Sequence, residues 1–175
     1  IRYNTLDLFS SHLTNKIQPD IKAITGGNFS FDSRKRKLSW VKDGKEYAPV
    51  NVASGIKAFG VMQLLLETHS IDEDKMLIWD EPENHLHPEW QIKFAELLVR
   101  MAQAGIPIVV SSHSPYFIQA IRYFAYELEL EKFVNYYLAE ETEEGLSELE
   151  DVTKDLNRLF LKLAQPMNSI VNLGM

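Results

Sequence analysis

A chain of 175 residues suits one domain with one sizeable core, and 45% hydrophobic with 25% charged residues is the balance of an ordinary globular protein. Zero cysteines exclude disulfides and thiolate metal sites, and no apolar run approaches the roughly 20 residues that span a bilayer, so no membrane partner is expected. A formal net charge of −7 is the wrong sign for a dominant nucleic-acid surface, and Arg2, Asn4 and Asp7 break any leader pattern, which favours a cytoplasmic protein.

Leu6, Phe9, Leu13 and Ile17 fall at helical spacing and predict an amphipathic helix over residues 3 to 17, followed by Pro19. "GGNFSFD" and "KLSWV" alternate as strands do, and Asp43-Gly44 is a hairpin turn signal, so residues 24 to 52 read as an antiparallel meander. The basic run Arg34 to Lys37 reads as a solvated hairpin turn within it. Ile56, Phe59, Met62 or Gln63, and Leu66 mark a helix, with Ser54 and Gly55 at the capping positions. "KMLIW" is a short continuous apolar run, the mark of a strand buried on both faces. Pro88 opens the next helix, Trp90, Phe94, Leu97, Leu98 and Met101 line its core face, and Gly105 ends it. "IPIVVSS" is a second buried strand, Phe117, Ile118, Ile121 and Phe124 mark a further helix, and "KFVNYYLAE" is a third strand with one of Tyr136 and Tyr137 inward. "EETEEGLSELED" reads as an acidic, mobile loop, and Val152, Leu156, Leu159, Phe160 and Leu163 as a last helix stopped near Pro166. The alternation from residue 54 onward predicts a three-layer α/β lobe around a parallel sheet, with the meander in front.

Chemistry concentrates in "MLIWDEPENHLHPEW", residues 76 to 90. Ligands of parallel α/β sheets sit beyond the carboxyl ends of the strands, where Asp80 and Glu81 stand. Mg²⁺ takes one or two carboxylates and keeps several waters, a role that suits Asp80. Glu81 is then placed to take the proton of a water attacking a phosphate. From Asp80 to "IVVSSHSP" is one β–α–β step, so His113 faces the same crevice if the two strands are neighbours. Two other readings stand beside this one. In the first, Asp80, Glu81, Glu83, His85, His87 and His113 hold zinc or manganese for a metal-dependent hydrolase. In the second, the chain is a non-catalytic interaction module whose acidic segment Glu140 to Asp151 binds a partner.

The chain resembles the second half of an ABC-type ATPase head, most closely the SMC-like and OLD-like ATP-binding proteins catalogued as AAA-domain ATPases. "MLIWDE" resembles the Walker B strand, "ENHLHP" the D-loop, "IVVSSHSP" the switch-histidine strand and "NVASGIKAFG" the signature that opens a helix, over roughly residues 50 to 125. The resemblance implies a P-loop NTPase-like fold with a parallel sheet flanked by helices. It implies ATP and Mg²⁺ as cofactors, with Asp80 holding the metal, Glu81 as catalytic base and His113 at the γ-phosphate. Ala53, Ser54, Gly55 and Lys57 would meet the nucleotide of the opposite head, and Asn84, His85 and Leu86 would form the dimer seam. A homodimer or second head is the implied partner, and DNA or a nuclease would engage through regions outside these residues.

Two departures qualify the likeness. Ala53 stands where the family signature has its first serine, and Ile56 where it has a polar residue. No G-x-x-x-x-G-K-[ST] occurs anywhere in the chain, so nothing in it cradles the α- and β-phosphates. Because the first residue is Ile1, the expectation is a C-terminal piece of a longer protein that does not hydrolyse ATP unaided. Residues 1–52 are expected to form the helix and meander. Residues 53–140 should then hold the signature, Walker B, D-loop and switch-histidine core, and residues 141–175 the acidic loop and last helix.

Overall fold

The computed structural model describes residues 19–173 apart from 33, 69, 72 and 73, so the helix expected over residues 3 to 17 lies outside the described residues. Residues 19–25 are helical (α1) and bury Ile21 in the main core. Three strands follow, β1 (Asn28–Asp32), β2 (Lys37–Lys42) and β3 (Lys45–Tyr47), paired antiparallel in the order β1-β2-β3. The turns between them obey their residues. Asp32 Oδ1 accepts from the backbone N–H groups of Arg34 and Lys35, which fixes the basic turn. Asp43 and Gly44 both take positive φ (51° and 72°), as a two-residue hairpin turn requires.

Helix α2 (Ser54–Glu67) packs on this meander, and two of its residues explain how. Gln63 is buried, and its amide bonds both backbone groups of Phe29. Gly60 lets the Phe29 ring lie on the helix backbone, where a Cβ would meet Phe29 Cδ2 at 2.2 Å. The N-cap of α2 is Ala53, one residue before the expected serine, and it offers no side-chain acceptor.

The centre of the molecule is a parallel pair, β4 (Leu77–Asp80) and β5 (Ile108–Ser111), with α3 (Pro88–Gln103) as the crossover and α4 (Pro115–Glu127) after it. Their register sets Asp80 opposite Ser111. Leu77, Trp79, Ile108 and Val110 point into a core shared with Phe59 and Met62 of α2, Phe94 and Met101 of α3, and Phe117 of α4. Phe94 is fully buried and meets Phe59 and Trp79 edge-on, with centroids 5.0 and 5.5 Å apart. The fold is thus α/β, with a parallel pair flanked by helices and antiparallel strands beside it.

Three expectations require correction. The strands β4 and β5 are not buried on both faces: Ile78 is 72% and Val109 49% exposed, because the described helices α2, α3 and α4 share a core with one face only. That arrangement is two-layered over this pair. Next, the third strand does not join the parallel sheet. Strand β6 (Tyr137–Glu141) pairs antiparallel with β7 (Ser147–Asp151), so seven of the twelve residues of the expected acidic loop lie in strands. Gly145 at φ 76° and a Thr142 N–H to Leu146 carbonyl bond of 2.7 Å close the hairpin. Two of its acids pair with cations of α5 (Leu156–Leu173): Glu150 with Arg158, and Glu140 with Lys162 at 3.1 Å. Last, α5 does not stop near Pro166 but runs through it, although the proline has no N–H for the carbonyl one turn earlier. Val152 precedes α5 and is buried with Leu159 and Ile118 in a core of its own.

Candidate functional site

The parallel pairing of β4 with β5 brings Asp80, Glu81 and His113 to one rim, as the β–α–β spacing predicts. The chain leaves β4 through a turn in which Glu81 takes φ 45° and His85 φ 64°. Left-handed backbone at residues that carry side chains costs about 1–2 kcal/mol each, and such strain concentrates at functional sites. The Glu81 N–H answers both the carbonyl and the hydroxyl of Ser111, at 3.2 and 3.1 Å, which fixes the turn to the end of β5. Glu81 Oε1 lies 3.3 Å from His113 Nε2, and Glu81 Oε2 accepts from Asn84 Nδ2 at 3.3 Å. The His113 side chain is 83% exposed, which rules out a core role for it and leaves its ring free to meet a ligand.

Every residue of the Ser111–Ser112–His113 run faces one carboxylate of the turn. The Ser111 hydroxyl donates to Asp80 Oδ1, the Ser112 hydroxyl donates to Glu83 Oε1, and His113 stands against Glu81. Behind this row, Ser114 caps α4, accepting from Phe117 N–H at 3.3 Å, and its hydroxyl donates to Gln91 Oε1. Gln91 Nε2 in turn donates to the Leu86 carbonyl at 3.1 Å. Ser111, Ser112, Ser114, Gln91 and the role of Glu83 were not predicted from the sequence. The signal was the three hydroxyls around His113, but their partners depend on strand register.

The remaining expected residues divide. Gly55 abuts the segment after the turn: a Cβ there would stand 2.8 Å from Leu86 Cδ2 and 3.4 Å from Trp90, which places the start of α2 against Leu86 and the first turn of α3. No side chain caps the N-terminus of α2, and an uncapped helix N-terminus is favourable to anions. The side chains of Ser54, Lys57 and His85 make no hydrogen bond or ion pair among the described residues. His87 is the N-cap of α3, its Nδ1 accepting from Glu89 N–H at 3.4 Å.

Chemically, the rim offers one carboxylate for a hard cation, a second carboxylate beside an imidazole, and open space above both. A single aspartate matches Mg²⁺, which fills its other positions with waters and phosphate oxygens. Among the described residues no three His, Cys, Asp or Glu side chains converge on a metal position, so the zinc or manganese set expected of a hydrolase is not assembled there. No described helix is long and apolar enough to cross a membrane.

Residues 6–119 match the family described as "AAA domain, putative AbiEii toxin, Type IV TA system". No curated protein matches the chain.

Proposed function

The chain belongs to this AAA-domain family of ATPase-like, nucleotide-binding domains, and from that premise we propose that it is the metal-, base- and switch-bearing half of an ATP-driven head. The observation that carries the reading is the common rim: Asp80 and Ser111 in register, with Glu81 and His113 3.3 Å apart above them. When bound, ATP would supply the electrophilic phosphoryl group and Mg²⁺ would neutralise charge on its oxygens. Asp80 would hold the water shell of that cation, and the Ser111 hydroxyl, which donates to Oδ1, fixes the carboxylate. Glu81 orients a water and takes its proton, and Asn84 keeps the carboxylate aimed. His113 donates a hydrogen bond to the γ-phosphate oxygens from its exposed ring. Ala53, Ser54 and Gly55 meet the nucleotide of a second head, and Asn84 and His85 lie at the seam between the two.

The 175 residues contain no G-x-x-x-x-G-K-[ST] sequence, so the phosphate loop is supplied from outside them, and this chain by itself does not turn over ATP. ATP then joins two heads, and hydrolysis assisted by Glu81 releases them. The test is Glu81→Gln in the protein that carries the phosphate loop. Size-exclusion chromatography with ATP and Mg²⁺ is expected to show a persistent dimer and no phosphate release. Monomers under those conditions, or hydrolysis at the unmodified rate, would sink the mechanism.

A further inference from the structure

We propose that Glu83 is a positioning residue that, acting through Ser112, holds the His113 ring against Glu81. The inference rests on the reading of His113 as the γ-phosphate contact and adds to it a residue that touches neither nucleotide nor water. Glu83 is only 4% exposed, an unusual place for a carboxylate. Its Oε1 accepts from the Ser112 hydroxyl, while Oε2 is buried with no hydrogen-bond partner among the described residues. A buried acceptor left half-satisfied is costly, and an apolar residue or threonine would fill the space without that cost. The carboxylate therefore has a job, and its one bond shows which.

Ser112 and Ser114 flank His113, and both are tied. Ser112 Oγ donates to Glu83 and accepts from the Ser114 N–H at 3.0 Å. Ser114 Oγ donates to Gln91, Gln91 donates to the Leu86 carbonyl at 3.1 Å, and the Leu86 N–H returns to the Glu83 carbonyl at 3.0 Å. The circuit closes on itself and joins residues 83–86 to residues 112–114. The His113 ring, by contrast, is exposed, and its one polar partner among the described residues is Glu81. Its position is thus set by the backbone on either side, and that backbone is set by the circuit. Glu83 anchors through Ser112 alone, so removing either partner breaks the link; Ser112→Ala also strands the Ser114 N–H, and adding Glu83→Ala to it adds little.

The test has two arms. In the first, histidines of this chain are labelled with ¹³C and the His113 Cε1–H resonance, assigned by loss in His113→Gln, is followed by NMR. Glu83→Ala and Ser112→Ala are both expected to move that resonance away from its original position, and Glu83→Gln, which keeps an acceptor for Ser112, to leave it close to the original. Leu97→Ala, a cavity in the core of α3, is the control that lowers Tm and leaves the resonance in place. Should Glu83→Ala and Ser112→Ala lower Tm while His113 stays at its original shift, Glu83 is structural only and the proposal falls. In the second arm, steady-state hydrolysis is measured in the protein carrying the phosphate loop. Glu83→Ala and Ser112→Ala are expected to lower kcat about ten- to a hundredfold with KM within about twofold, since a misplaced group costs rate rather than binding. Glu81→Gln separates the two ideas. If that variant hydrolyses normally the ATPase reading fails and the NMR arm alone decides Glu83. If it is dead while Glu83→Ala keeps full kcat, the positioning role is overturned and the ATPase reading survives.

Discussion

Gln63 satisfies both backbone groups of Phe29: its Oε1 accepts from Phe29 N–H and its Nε2 donates to the Phe29 carbonyl, each at 3.0 Å. A helix side chain thereby takes the place of a neighbouring strand at the edge of β1. Gln63→Leu keeps the volume and deletes the pairing, stranding a buried donor and acceptor at about 1–3 kcal/mol each. The expected loss is about 2–4 kcal/mol in urea denaturation, and Gln63→Glu, which retains an acceptor but no donor, is expected to fall between.

One turn earlier on α2, Gly60 is required for closeness rather than for φ. An added Cβ would lie 2.2 Å from Phe29 Cδ2 and Cε2, and the ring is buried beside Trp40 and cannot swing away. Gly60→Ala gains about 1 kcal/mol of helix propensity but overpacks a closed site at a cost of about 1–3 kcal/mol. The substitution is expected to lower Tm, and Phe29→Leu in the same chain to recover part of the loss.

The apolar run "MLIW" shows what the sequence hides. Continuous hydrophobicity predicts burial on both faces, yet Leu77 is 8% and Ile78 72% exposed. Periodicity reports the residue types a strand carries, whereas the cover on each face depends on which elements pack there. The carboxylate rim was legible for the opposite reason. A β–α–β step of this length allows β4 and β5 to be neighbours, and on that condition the sequence set Asp80, Glu81 and His113 in one crevice; the pairing of the two strands meets it. The serine–carboxylate pairs could not, because they follow from the register Asp80 to Ser111. The same limit misread "EETEEGLSELED": its acids suggested a loop, while the cations that pair with Glu150 and Glu140, Arg158 and Lys162, lie on a helix further along the chain. Ile78→Thr is accordingly expected to change stability by no more than about 0.5 kcal/mol, against about 2–5 kcal/mol for Leu77→Ala, both read by thermal and urea unfolding.

Tyr136 gives the hairpin-side core a pH signature. Burial against Leu138, Val152 and Leu159 raises its phenol above the ordinary 10.0, with a smaller opposing pull from Arg122. A group raised in the folded state stabilises while it stays protonated in both states. Its contribution is therefore whole below pH 10.0 and lost as pH rises from there through the folded value. Tyr136→Phe is expected to flatten that alkaline decline relative to the parent chain. Near-ultraviolet titration of the seven tyrosines should show one phenolate forming late and disappearing with the variant.

His85 holds φ 64° with an exposed side chain and no side-chain partner among the described residues. Nothing in the fold repays that conformation, which costs about 1–2 kcal/mol for a residue with a Cβ. Glycine removes the strain and returns part of the gain as chain entropy in the unfolded state. His85→Gly is therefore expected to stabilise the chain by about 0.5–1 kcal/mol in urea denaturation. The proposed seam explains why a histidine stands there: its ring is presented outward, two residues from the Glu83 anchor, for a second head. The same variant is then expected to weaken ATP-dependent association in sedimentation or size-exclusion measurements. Stabilisation without weakened association would remove His85 from the seam, and a loss of stability would mean the ring makes contacts that offset its backbone strain.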